Sequence, residues 1–187
     1  MNSTDVCNMA LGMIGQNFIV AIDDGTHTAN QCKLFFEPSR DACLRDHKWN
    51  FAQKRQALAQ TTSPASGWSY AYTLPPDCVR VVELNGTPEL QWAVEGRALV
   101  TDEPAATILF IAKSDDVNLW DALFVDAFTT LLASKLALAV AHDAQYSAQL
   151  LGLYQSRYGD AKAVDGQEAG TPDALGAPDL IDVRNAT

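Results

Sequence analysis

No basic run, no glycine-rich phosphate loop and no Cys-x-x-Cys pair occurs in these 187 residues, and each absence removes a class of function. Thirteen Lys and Arg stand against 23 Asp and Glu, a formal net charge of −10. Tight binding of nucleic acid needs clustered cations to neutralise phosphates, so this balance argues against it. There is no Gly-x-Ser-x-Gly elbow for a serine nucleophile, and no cysteine has a histidine at zinc-ligand spacing. His27, His47 and His142 lie far apart. Cys7, Cys32, Cys43 and Cys78 read as small buried hydrophobes with free thiols. The Asp23-Asp24-Gly25 sequence lacks a calcium loop's glutamate, because the twelfth position counted from Asp23 is Leu34. It reads as a turn. The expectation is a non-enzyme with no cofactor and no metal.

Long uncharged apolar runs are missing as well. The longest apolar stretch, Leu119 to Ala141, carries Asp121, Asp126 and Lys135, so no membrane span is expected. Met1 is followed by polar residues rather than a basic and then apolar leader, which points to synthesis in the cytosol without a signal peptide. The acids are unevenly spread. Residues 1–99 hold ten acids and eight bases, whereas residues 100–187 hold thirteen and five.

What is present is a hydrophobic content of 48%, enough for a globular core. Val6, Met9, Ala10, Met13 and Ile14 recur at helical spacing, with Ser3 or Thr4 as the expected cap and Gly15 as the stop. Ile19, Val20 and Ile22 read as a short extended piece. Thr26 or Thr28 is expected to cap a second helix with an apolar stripe of Cys32, Phe35, Phe36, Ala42 and Cys43. Its exposed face is expected to carry Lys33, Glu37, Arg40, Asp41, Arg45 and Asp46, and Pro38 to kink it. From Trp49 the pattern becomes extended, with strands at Gln53–Leu58, about Trp68–Tyr72, Cys78–Leu84, Leu90–Val94, Ala98–Val100 and Thr107–Ile111. Pro75-Pro76-Asp77 makes a corner and Asn85-Gly86 a tight turn. A third helix, starting at Asp115 to Asn118 and running to about His142, is apolar almost all round and must be covered on several sides. A neighbouring subunit is expected to supply part of that cover, with Trp120, Phe124 and Phe128 at the boundary. A fourth helix spans about Ala144 to Lys162.

These elements predict an α+β fold. Residues 1–48 and 115–162 form a mainly α-helical bundle, 49–114 a small antiparallel β-rich insertion, and 163–187 an extended C-terminal arm. The arm is rich in Gly, Pro and Asp, which cannot build a core, yet carries an apolar tip at Leu180, Ile181 and Val183. Arg40, Arg45, Lys48, Lys54 and Arg55 gather around the helix-to-strand junction, either as a solvated face or as a contact for an acidic neighbour.

Several segments in this order carry a resemblance. They are Ala10-Leu11-Gly12-Met13-Ile14-Gly15, the Asp23-Asp24-Gly25-Thr26 turn, Arg40 to His47 leading into Trp49-Asn50-Phe51-Ala52, and Gly67-Trp68-Ser69-Tyr70-Ala71-Tyr72-Thr73-Leu74-Pro75-Pro76-Asp77-Cys78-Val79-Arg80-Val81. Over residues 5–162 the chain resembles the head-to-tail adaptor (connector) proteins of tailed phages, the group that includes the tail tubular A proteins. The resemblance implies a virion structural protein of the neck, assembled as a dodecameric ring. The portal protein would lie above it and a tail or nozzle protein below. DNA would pass through the lumen without sequence-specific binding. It also implies an arm that docks on the portal; the arm matches no family motif, and Leu180, Ile181 and Val183 are expected as its anchors from their apolar character alone. The alternatives are another phage assembly or tail-completion protein and, further off, a small hydrolase.

Overall fold

A computed structural model describes residues 1–61 and 67–168. Helix α1 (Ser3–Met13) is capped one residue earlier than the sequence suggests. The Asn2 side chain accepts from the Asp5 N–H at 3.0 Å, and the Asp5 carboxylate accepts from the Asn2 N–H at 2.8 Å. This reciprocal box satisfies two otherwise orphaned donors, an advantage neither Ser3 nor Thr4 can match. Gly15 ends the helix as expected, at φ +66°, with the Gln16 N–H donating to the Leu11 carbonyl. Residues 19–22 form an irregular loop rather than an extended strand. Side chains take up its backbone groups: Asn8 bonds both the N–H and the carbonyl of Ile19, and the Ile22 N–H donates to Thr4 Oγ1.

Thr26 caps α2 (His27–Asp46), which runs unbroken through Pro38. Its buried face is Cys32, Phe36, Ser39, Arg40, Cys43 and Leu44. Arg40, expected outside, is therefore inside, and Ala42, expected inside, is exposed. At 100° per residue, the steps 32, 36, 40, 43 keep to one face while position 42 turns away from it. Asp41 and Asp115 make that burial tolerable by accepting from the Arg40 guanidinium, whose side chain is only 3% exposed.

A single 3-10 turn (Asn50–Ala52) leads into β1 (Gln53–Ala57). Five further strands follow: β2 (Tyr70–Thr73), β3 (Cys78–Leu84), β4 (Trp92–Glu95), β5 (Ala98–Thr101) and β6 (Thr107–Ala112). They pair antiparallel into two three-stranded sheets, ordered β1-β6-β3 and β2-β5-β4. Asn85 and Gly86 both take positive φ where β3 ends, which suits the Asn-Gly pair read there. Tyr72 and Leu99 from one sheet pack with Ile108 and Phe110 from the other to form the lobe's own core. Because side chains alternate along a strand, Phe110 points into the lobe while its neighbour Ile111 joins the helical core.

The segment after β6 departs from expectation. Asp116 caps a 3-10 turn at Val117–Leu119, and only then does α3 (Ala122–Ala139) begin, capped by Asp121. Trp120 is the reason for the break. Its backbone is extended, its Nε1–H donates to Ser114, and its ring is buried against Phe36, Phe124 and Phe128. Helix α3 stops at Ala139 rather than His142, and His142 adopts φ +56°. The helix has the length and hydropathy of a membrane span, but 61% of that window is buried by the rest of the chain, as in a core helix.

Helix α4 (Ala144–Glu168) packs along α3 and runs six residues past Lys162, so residues 163–168 are helix and not arm. Asp165 explains the extension. Its carboxylate, buried in the last full turn, accepts from the Asn50 N–H at 3.0 Å and lies 2.9 Å from His47 Nε2. The Asn50 amide in turn donates to the Asp165 carbonyl. This bolt ties the end of α4 to the joint between α2 and β1. Asp165→Ala should cost about 1–3 kcal/mol in chemical denaturation, because it strands the Asn50 N–H. An unchanged midpoint would contradict that role. Among the described residues the architecture is α+β, four helices with a β-rich insertion between α2 and α3.

Candidate interaction surfaces

Trp120, Phe124 and Phe128, expected at a subunit boundary, belong instead to the chain's own core. Phe124 and Phe128 are fully enclosed and Trp120 nearly so. Phe124 meets Trp49 at 4.9 Å between ring centroids and Trp120 at 5.2 Å, both edge to face, the geometry aromatic quadrupoles favour. Helices α1, α2 and α4 together cover α3, so the apolar excess read as a need for a partner is satisfied internally at these three positions. What α3 and its approach leave outside is Leu119 (62% exposed), Leu123 (40%) and Leu138 (56%). Phe18, Val20 and Leu34 are exposed around the α1–α2 loop, and Leu151, Leu153 and Val164 along α4. The arm residues Leu180, Ile181 and Val183 lie outside the described residues.

The basic group at the helix-to-strand junction does not form one face. Arg40 is buried with Asp41 and Asp115, and Lys54 pairs with Asp77 at 2.8 Å. Lys48 and Arg55 are exposed. Arg45 points elsewhere, donating to the Val79 carbonyl at 2.7 Å. There it joins Arg80 and Arg97 in lining a recess of about 390 Å³ between β3 and β4. Val79, Trp92 and Val94 supply apolar walls, and among the described residues no acidic side chain lines the recess. Arg97 donates to the carbonyls of Cys78 and Pro75, whereas Arg80 Nε is buried with no hydrogen-bond partner. None of the three guanidiniums pairs with a carboxylate among the described residues, although Lys33, Arg40, Lys54, Lys113, Arg157 and Lys162 all do. Sequence reading missed this site because its arginines stand on α2, on β3 and beside β5, and only the tertiary fold brings them together.

The thiols are all buried. Burial pushes Cys43 and Cys78 up from the ordinary thiol range, and Cys7 rises through its hydrogen bond to Cys32 across the α1–α2 contact. Raised thiols of this kind are poor nucleophiles at neutral pH, whereas Cys32 is lowered by the same contact with Cys7. Asp24 in the Asp23-Asp24-Gly25 turn is held below the usual carboxylate range by hydrogen bonds from Thr26 and from the Val20 N–H. Those bonds brace the turn that delivers the cap of α2. Among the described residues, no group of three or more His, Cys, Asp or Glu is placed to hold a metal ion.

Comparison with known proteins gives no matching family model and no matching curated protein.

Proposed function

We propose that this chain is a structural ring subunit, the head-to-tail adaptor of a tailed phage, which extends the DNA channel under the portal and gives the tail its platform. The observation that carries the reading is the order of elements around the Trp49-Asn50-Phe51 joint. A helix pair leads into a β-rich insertion and returns to a helix pair, with the most distinctive segments of the resemblance at the joint and in β2 and β3. Charge supports it too. Six basic side chains are tied into ion pairs within the chain, each neutralising an acid as well, so the excess of ten acids is left to the rest of the protein. An acidic wall repels DNA and lets it slide.

The surface that neighbours would share is the exposed leucine set on α3 rather than its aromatic row. Leu123→Asp combined with Leu138→Lys should leave the unfolding midpoint within about 0.5 kcal/mol, as exposed substitutions do, while abolishing ring formation read by light scattering with portal present. Rings of normal size from the double variant would sink this assignment.

A further inference from the structure

We propose that the arginine recess between β3 and β4 is the docking site of a segment of this same chain, Asp179-Leu180-Ile181-Asp182-Val183. The inference stands whether or not the ring assignment holds. It begins from an imbalance of charge. In a protein with ten more acids than bases, Arg45, Arg80 and Arg97 share one recess and pair with no carboxylate among the described residues; Asp46, which shares a neighbouring cleft with Arg45 and Arg80, is paired with Lys162. A buried, unpartnered Arg80 Nε is a donor without its acceptor. Leaving such a donor unpaired is costly, and a carboxylate is its natural complement.

The recess asks for more than an anion. Val79, Trp92 and Val94 face it, and Val94 is 46% exposed. β3 and β4 are each the edge strand of their sheet, and Arg45 and Arg97 already occupy the Val79 and Cys78 carbonyls, so side chains rather than main-chain pairing would hold an occupant there. The fitting ligand is an extended segment that carries a carboxylate beside branched aliphatic side chains on one face: with side chains alternating along an extended chain, Asp179, Ile181 and Val183 share one face and Leu180 and Asp182 the other, with the base Arg184 falling just beyond.

The fold also brings the segment within reach. Asp165 fixes the last turn of α4 to His47 and Asn50, and Arg45 stands two residues before His47 on α2. The last turn of α4 is therefore held at the joint where α2, which carries Arg45, passes into β1. From Glu168, eleven residue steps lead to Asp179, a span of up to roughly 36 Å when extended. A segment tethered at that range meets its own site at a high effective concentration. In the proposed assembly, the portal would have to displace it.

The test uses the full chain with Cys78→Ala, which removes the one native thiol in the recess. Val94→Cys and Ile181→Cys are added, and disulfide formation is followed under mild oxidation by non-reducing electrophoresis. An intramolecular bond should form at least about tenfold faster than in a control pairing Ile181→Cys with Val20→Cys, an exposed position outside the recess. Asp179→Lys with Asp182→Lys should bring the rate down to the control's without touching the folded body. Arg80→Glu with Arg97→Glu should do the same, and combining both charge reversals should restore it. Equal rates in the test and control pairs would overturn the proposal. So would purely intermolecular bonds, or rates indifferent to the tail-side charge reversal.

Discussion

Replacing Trp49 by alanine should lower the unfolding free energy by about 3–5 kcal/mol and the melting temperature by roughly 10 °C. Trp49 is wholly buried where the helical bundle meets the β lobe. Its ring touches those of His47, Phe51, Phe124 and Tyr158, and its Nε1–H donates to the Cys43 carbonyl at 3.0 Å. Tyr158 donates to the same carbonyl at 2.8 Å, so the end of α2 is held from two sides. Alanine removes the ring, opens a cavity and frees one acceptor at once. Trp49→Phe keeps most of the volume and loses the hydrogen bond, so it should recover more than half of the loss. Denaturant titration of the three proteins checks both values. A Trp49→Ala chain within 1 kcal/mol of the parent, about the size of a single hydrogen bond, would show that the joint is not the keystone it looks to be.

Deleting residues 175–187 should leave the body folded and abolish attachment to portal-bearing heads. The deletion removes Leu180, Ile181 and Val183, and burying each such side chain on a partner yields about 1.5–3 kcal/mol. Ordering the backbone opposes this by about 1–2 kcal/mol per residue, so the anchors have to carry the balance. A net loss of about 3 kcal/mol already weakens binding more than a hundredfold. Helix α4 should be undisturbed, because its final bolt at Asp165 lies upstream of the deletion. Sedimentation of heads with full-length and shortened protein, alongside circular dichroism of both, separates attachment from folding. Normal attachment by the shortened chain would refute the arm's role.

Local signals made much of the fold legible. Thr26 announced the start of α2, Gly15 the end of α1 and Asn85-Gly86 the end of β3, because each solves a backbone problem within a few residues. The alternation at Trp68, Tyr70 and Tyr72 gave β2, and the six strands fall where extended patterning placed them. What escaped depended on partners far along the chain. Arg40 falls on the polar side of the sequence pattern, and the carboxylate Asp115 that helps to bury it lies 75 residues away. Helix α4 was read as stopping before Gly166, since nothing local reveals that Asp165 bonds the joint 115 residues upstream. Trp120, Phe124 and Phe128 were placed at a boundary between subunits for a related reason. Hydrophobicity says that a face must be covered, but not whether the same chain covers it. The arginine recess is the extreme case, assembled from three elements with no motif in any of them.

The measurement closest to the central claim is electron microscopy of the purified full chain mixed with its portal. The account predicts a ring of twelve copies, coaxial with the portal and continuing its channel. Monomers that leave the portal bare, or copies bound off the axis, would contradict it.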